Sequence, residues 1–292
     1  MTSISRFVPL GAPGFPRLLA EIPAPPIGLY IRGTLGGPAA PTVAIVGTRR
    51  ATPAGKMLAQ ELARGLALRG FVIVSGLAFG IDAAAHEGCL LGGGQTIAVL
   101  PCGADKIYPR SNAGLAERIL QNGGALLSEY PPGTPALPHR FLERNRLVSG
   151  LARGVLIIEA PARSGALATA RFAAEQGREC LVIPGPVSHP NYEGSHELIR
   201  KGATLATKID HVLEVFGLEN PTDPATPPPL DENALSEIEK KIWALAKKAG
   251  SPIEVDKIVQ IAKLQPQAVN IALTMLVVKG VMRETAEGYA LK

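Results

Sequence analysis

Residues 42–87 read TVAIVGTRRATPAGKMLAQELARGLALRGFVIVSGLAFGIDAAAHE, and the first few letters decide the architecture. Thr42–Val46 is a short apolar run without charge, the pattern of a strand buried on both faces in a parallel sheet. It stops at Gly47. Thr48, Arg49 and Arg50 follow, and Thr52 and Pro53 then stand where a helix N-cap and first helical residue belong. A glycine-led turn between a buried strand and a helix start exposes backbone N–H groups and the positive end of the helix dipole, which favours an anion. Two arginines strengthen that bias.

Two nucleotide motifs fit this turn badly. Gly55 and Lys56 imitate the end of a P-loop, but position 50 is Arg rather than Gly, and Met57 replaces the hydroxyl that would hold magnesium. The Gly-x-Gly-x-x-Gly spacing is absent, and Phe71–Ser75, the next strand, ends without a carboxylate for a ribose. What remains is a cationic phosphate cradle without apparatus for phosphoryl transfer; an ordinary tight turn with solvated arginines is the bland alternative.

Working outward, apolar strands alternate with amphipathic helices from Thr42 to about Gly217. Strands are expected at Thr42–Val46, Phe71–Ser75, Thr96–Leu100, Ala125–Ser128, Val155–Glu159, Glu179–Ile183 and Ala203–Ala206. Helices are expected at Pro53–Arg69, Ile81–Leu90, Ala113–Gln121, Leu142–Leu151, Ala166–Gln176, Ser195–Arg200 and Ile209–Phe216. The alternation predicts an α/β fold, a Rossmann-like doubly wound and mostly parallel sheet over 42–218. Ligands of such sheets lie beyond the carboxyl ends of the strands. Residues 1–41 read as a Pro- and Gly-rich extension with IGLYIRG as its one strand-like run. Residues 219–232 are a Pro-rich linker. Beyond it, over 233–292, helical periodicity at Ala234–Lys248, Val255–Ala262 and Gln267–Lys279, then a hairpin over Val281–Glu284 and Gly288–Leu291, predicts a small winged-helix domain.

Composition narrows the function classes. The 292 residues are 46% hydrophobic with a net charge of +5, which permits an acidic partner. Residues 1–230 carry 21 Lys or Arg against 17 Asp or Glu, and residues 231–292 carry nine against eight, so the excess lies on the larger domain. Cys89, Cys102 and Cys180 are scattered, without metal-ligand spacing, and no metal or cofactor is expected. No signal peptide or membrane-length apolar run is apparent, so a cytoplasmic location is expected.

Three further stretches carry candidate chemistry. SGLAFGID places Ser75, Gly76 and Gly80 at a second strand end, where small residues admit a close backbone or phosphate. Asp82 is read as a helix-start carboxylate and His86 as a packed histidine. PHRFLERNRLVSGLA groups Arg140, Arg144 and Arg146 with Phe141 and Asn145; arginine beside an aromatic is the composition of a single-strand groove, although Phe141 also suits a core position. After Glu159, Arg163 is followed by Ser164 and Gly165, which offer a hydroxyl and backbone N–H groups to a phosphate. The second domain is nearly neutral, and its third helix carries only Lys279, a poor match to duplex DNA.

VAIVGTRRAT, SGLAFGIDAAAH, RFLERNRLVSGLA, SGALATARFAAEQGREC and VIPGP, in that order, resemble the DNA-processing protein A (DprA, or Smf) family over about residues 16 to 216, with a family-like module again at the C-terminus. The resemblance implies a non-enzymatic single-stranded DNA-binding protein that protects incoming strands and loads the recombinase RecA during natural transformation, and a homodimer formed through the main domain. It maps the Arg-Asn-Arg run onto a family signature, with one arginine facing DNA and another holding the helix. The family commonly has a cation where this chain has Phe79, and Asn where it has His196. The predicted DNA-binding set is Gly47, Thr48, Arg49, Arg50, Gly76, Arg140, Phe141, Arg144, Asn145, Arg146, Ser164 and Gly165, with no catalytic residue. Two alternatives stay open: a phosphoribohydrolase-like, nucleotide-processing enzyme on the same fold, and a transcription regulator acting through the winged helix. The helix after Gly165 offers Thr169 where the hydrolases place a catalytic glutamate nearby.

Overall fold

Val43 and Ile45 are buried in a core on one face of the central sheet and Ala44 and Val46 in a core on the other, the alternation a doubly covered sheet requires. The computed structural model describes residues 5–37, 40–218, 235–249, 252–262, 264–278, 281–285 and 288–291. The chain divides into two compact units, Met1–Asn220 and Pro221–Lys292.

The first unit runs β1 (Arg6–Pro9), α1 (Arg17–Ala20), β2 (Gly28–Gly33), β3 (Thr42–Val46), α2 (Pro53–Ala67), β4 (Val72–Ser75), α3 (Ile81–Leu91), β5 (Thr96–Val99), α4 (Ala113–Gln121) and β6 (Ala125–Ser128). It continues through α5 (Pro138–Gly150), β7 (Gly154–Ile157), α6 (Gly165–Glu175), β8 (Glu179–Val182), α7 (Glu193–Arg200), β9 (Thr204–Leu205) and α8 (Ile209–Val215). The nine strands form one sheet in the order β1-β2-β6-β5-β4-β3-β7-β8-β9. From β6 to β9 all pairings are parallel. The chain moves outward from β3 to β6 in one direction and then from β7 to β9 in the other. The order therefore reverses between β3 and β7, the place where an open α/β sheet leaves a crevice at its carboxyl edge.

Helices α1, α5 and α6 cover one face, and α2, α3 and α8 the other. Helix α4 closes a third cluster by packing Leu115, Ala116 and Ile119 on Ala98, Leu100 and Leu126. Thr52 caps α2, its hydroxyl accepting from Gly55 N at 2.9 Å, with Pro53 as the first helical residue. Helices α2 and α3 approach so closely that a Cβ on Gly88 would overlap the backbone of Gln60.

Three sequence expectations need correction. The stretch 1–41 is more than an extension: β2 pairs antiparallel with β6, and β1 with β2, so both belong to the main sheet. The four residues of β1, RFVP, show burial only at Val8, too little to register as a strand pattern. Helix α5 begins at Pro138 rather than Leu142, because a proline suits the first helical position, where its missing N–H costs nothing. Strand β7 ends at Ile157, and Glu159 lies beyond it.

In the second unit, α9 (Glu237–Ala249), α10 (Val255–Ala262) and α11 (Pro266–Val278) precede an antiparallel hairpin of β10 (Met282–Thr285) and β11 (Gly288–Leu291). Leu235, Ile242, Ile258, Val269, Leu273 and Leu276 form its core, and Ile253 bridges to Tyr289 of the hairpin. The Pro-rich linker at 219–232 lies outside the described residues. Among the described residues no helix is long and apolar enough to cross a membrane.

The α2–α3 contact leads to a prediction. Gly88→Ala should destabilise the first unit by about 2 kcal/mol through overpacking, read as a lower midpoint in denaturant; an unchanged midpoint would mean that the two helices separate at little cost.

Candidate nucleic-acid interface

At the reversal between β3 and β7 the carboxyl edge of the sheet opens into a cleft of about 770 Å³. Five segments build it: Val46–Thr52 after β3, the Gly76–Ala78 loop after β4, one side of α5 from Phe141 to Val148, Pro161–Ala166 leading into α6, and the loop after β8. Three exposed arginines stand in its lining: Arg49, Arg50 and Arg163. Among the described residues none of them forms an ion pair with a carboxylate. Arg49 lays its guanidinium over the Phe141 ring, 4.8 Å from the centroid.

The acids around the cleft are committed elsewhere. Glu159 is fully buried. Its carboxylate accepts the Thr52 backbone N–H at 3.1 Å, the Thr52 hydroxyl, Asn191 Nδ2 at 2.8 Å and the Tyr192 hydroxyl at 3.3 Å. Its carbonyl accepts Thr48 N at 2.8 Å, so this one residue ties down both ends of the arginine turn. Asn191 adds a bond to the Arg50 carbonyl at 3.1 Å. Gly47 is required because a Cβ there would overlap Ile81, and Gly55 because a Cβ would overlap the Glu159 carboxylate.

Asp82, the one carboxylate lining the cleft among the described residues, is also buried. The sequence expected a helix cap, but its carboxylate reaches back to accept Gly76 N at 3.1 Å and Ala78 N at 3.4 Å, stapling the loop before α3. Burial raises its pKa, while Arg144, those two backbone bonds and Arg49 oppose the shift. Arg144 is buried beneath the rim and donates to the carbonyls of Gly76 at 2.7 Å and of Val99. Burial brings its pKa down to about 10, with Asp82 acting the other way, so it stays charged at neutral pH. Gly76 is needed by the protein itself, since a Cβ would overlap the Arg144 guanidinium.

The predicted set therefore divides. Gly47, Thr48, Arg49, Arg50, Gly76, Phe141, Arg144, Asn145, Ser164 and Gly165 all line the cleft. Arg140 and Arg146 lie outside that lining. Arg140 stacks over Tyr130 and donates to the Pro135 carbonyl, whereas Arg146 pairs with Glu129 and donates to the Ala24 carbonyl, fastening α5 to the N-terminal segment. Asn145 donates to the Gly165 carbonyl at 3.2 Å, linking α5 to the start of α6. Ser164 caps α6, accepting Ala166 N at 3.2 Å, and Gly165 is exposed, a Cβ there meeting Asn145 Nδ2 at an ordinary contact distance of 3.9 Å. Thr169 is buried, its hydroxyl bonded to the Gly165 carbonyl at 3.4 Å. His196 bonds to the Gly185 carbonyl at 3.1 Å.

Sequence reasoning missed His189 and Asn191, which line the cleft. They follow the carboxyl end of β8, and extending the strand-end rule to that loop finds them. His86 is packed as expected: fully buried, with Nδ1 2.7 Å from the Thr96 hydroxyl. Burial, with Arg144 adding to it, pushes its pKa down to about 3.

The sequence profile of the DNA recombination-mediator protein A family matches residues 6–217. The chain belongs to that family. Relatives within it include the protein Smf of Escherichia coli, 45% identical over 205 residues, which cover 70% of this chain and 54% of that protein. A putative DNA processing protein DprA of Mycobacterium tuberculosis is 42% identical, covering 81% of this chain and 61% of the relative. The chain thus spans little more than half the length of those two relatives. Among solved structures, DNA processing protein A of Streptococcus pneumoniae aligns with a TM-score of 0.67 at 38% identity, covering 73% of this chain and 75% of that one. The Helicobacter pylori protein, whose structure was described for its single-stranded DNA binding mode, aligns at 0.63 and 35%, covering 74% of this chain and 98% of that one. Both likenesses are to members of the family and agree with the Rossmann-like sheet of the first unit.

Arg144 and His86 separate structural from surface roles. Arg144→Leu should cost about 3 kcal/mol by leaving two buried carbonyls without a donor and Asp82 without a nearby cation, whereas Arg49→Ala should stay within about 0.5 kcal/mol; chemical unfolding of the two variants makes the comparison. For His86 the folded pKa is about 3 against an ordinary 6.5. As pH falls through that window, the unfolded state takes up a proton that the fold refuses. The His86 contribution to stability should therefore be complete above pH 6.5 and decline by about 1.4 kcal/mol per pH unit below it. His86→Asn should flatten that part of the stability profile, and a profile of unchanged slope would remove His86 as its cause.

Proposed function

We propose that the first unit binds single-stranded DNA along the cleft at the β3–β7 reversal, as a binding protein rather than an enzyme. One observation carries this reading: Arg49, free of any carboxylate partner among the described residues, stacks on Phe141 in a cleft lined by strand-end turns and one side of α5. That pairing matches the two parts of a strand, a charged backbone and flat bases. Arg49 holds one phosphate at the turn that Gly47 and Thr48 shape, Ser164 and Gly165 hold a second, and Arg50 or Arg163 extends the path; the Thr48 N–H, given to the Glu159 carbonyl, fixes the turn rather than the ligand. Arg144 acts from below by fixing the loop, and Arg140 and Arg146 hold their own segments rather than phosphates. Sequence preference is slight, because these contacts address the backbone and stacking accepts any base.

The nucleotide-processing alternative needs a carboxylate facing the cleft. Glu159 is saturated by four donors, and Asp82 is buried with one carboxylate oxygen accepting two backbone N–H groups, which supports the binding reading over hydrolysis. The Helicobacter pylori relative's single-stranded DNA binding mode supports the choice of ligand. Membership of a recombination-mediator family supports the wider role: protecting incoming single strands and loading RecA on them during natural transformation, with the protein acting as a homodimer. The second unit, whose three helices and hairpin suit a winged helix, is assigned no share in single-strand binding.

Fluorescence anisotropy of a labelled oligonucleotide across a salt series tests this. Neutralisation of about three phosphates gives a slope of about −2 for log affinity against log salt. Arg49→Ala should weaken single-strand binding at least about tenfold and make the slope shallower by about 0.7. Salt-independent affinity, or a mutant indistinguishable from the parent, would take function away from this turn.

A further inference from the structure

Seven Phe and five Tyr make this an aromatic-poor chain, yet two of them meet at a single exposed arginine and a third stands exposed on the loop beside its turn. The Phe141 ring lies under the Arg49 guanidinium and meets Tyr108 edge-on, with centroids 5.3 Å apart. Tyr108 leads into the short 3₁₀ turn Arg110–Asn112, and Asn112 Nδ2 donates to the carbonyls of Leu77 at 2.9 Å and Ala78 at 3.4 Å. Those carbonyls belong to the loop that carries Phe79. Tyr108 and Phe79 are respectively 45% and 49% exposed, a large share for rings set in fixed backbone.

The loop is held on every side. Asp82 accepts two of its N–H groups, Leu77 is fully buried with a left-handed φ of 56°, and Gly80 has a φ of 76°. Gly80 lies so close to Thr48 and Arg49 that a Cβ would overlap their backbone. Phe79 thus projects from a pinned loop that touches the Arg49 turn. A single exposed apolar side chain is unremarkable on a protein surface. What singles out Phe79 is its place: its loop touches the Arg49 turn through Gly80 and is tied through Asn112 to the turn that follows Tyr108, so the exposed ring is held beside that turn before any ligand arrives. A rigid ring that is already exposed loses little freedom when a flat partner settles on it.

Building on the single-strand reading above, we propose that Phe79 and Tyr108 extend the stacking face begun by Phe141, so that unpaired bases rest on this side of the Arg49 turn while the cleft holds the phosphates. Affinity then has a part that salt does not screen, carried by Phe79. Sequence preference stays slight, purine strands with their larger flat faces binding only a little more tightly than pyrimidine strands.

The test compares the full chain with Phe79→Ala, Phe79→Tyr and Phe79→Arg, using oligodeoxyadenylate and an abasic strand of the same length in anisotropy titrations across salt. Phe79→Ala should lose about 5- to 150-fold on oligodeoxyadenylate, with an unchanged salt slope and no loss on the abasic strand. Phe79→Tyr should keep the parent's affinity, and Phe79→Arg should steepen the slope by about 0.7. Equal affinity of Phe79→Ala and parent for oligodeoxyadenylate overturns the proposal, as does an equal loss on both strands, which would mark a change in the loop rather than lost stacking. If the parent binds neither strand, the single-strand reading itself fails, a result distinct from failure of the Phe79 assignment alone.

Discussion

The cleft depends on the Glu159 carboxylate, placed just beyond β7 and facing the start of α2 on the neighbouring strand. Parallel strands β3 and β7 lie side by side with no covalent link between their carboxyl ends, and a crevice at a strand reversal would splay without a cross-tie. Four donors from Thr52, Asn191 and Tyr192 converge on this side chain. A buried carboxylate is costly unless it is hydrogen-bonded, and here its need for donors is what specifies where the arginine turn sits. Gly55, which leaves room for the carboxylate, and Gly47, which keeps clear of Ile81, are steric corollaries of the same contact.

A second buried charge does the corresponding work under the neighbouring loop. Arg144 reaches up from α5 to the carbonyl of Gly76 just after β4 and that of Val99 at the end of β5, and Asp82 holds the N–H groups of the loop after β4. The protein thus uses two anions and one cation out of sight to shape a surface on which Arg49, Arg50 and Arg163 remain uncommitted. This division reconciles a basic sequence cluster with only partial basicity at the cleft: an arginine spent inside the fold is not available to a ligand.

The fold was legible because it is written in local patterns. Uncharged strand runs, capped helix starts and glycine-ended turns gave most elements of the first unit to within a residue or two, including Thr52 and Pro53 at the head of α2. The site was legible as segments but not as side chains. Arg140, Arg144 and Arg146 look alike in the sequence, yet helical geometry sends Arg144 inward to the loop, Arg146 to Glu129 and Arg140 onto Tyr130. Which arginine meets solvent depends on partners distant in the chain, and a single sequence does not display those. Asn191 was missed for the same reason, since its importance rests on Glu159, 32 residues away. Strand β1, with one buried residue, carried too little pattern to be seen.

The antiparallel attachment of β2 to β6 has a bearing on how the molecule is made. Tyr30 pairs with Ser128, Arg146 reaches back to the carbonyl of Ala24, and Arg178 reaches back to that of Leu18. During synthesis the leading forty residues therefore emerge long before the strand and helices that receive them. Contacts of such wide sequence separation form late and slow folding. The β3–β4–β5 layer can assemble while the leading segment waits, and the sheet acquires its outer edge only after β6 has left the ribosome.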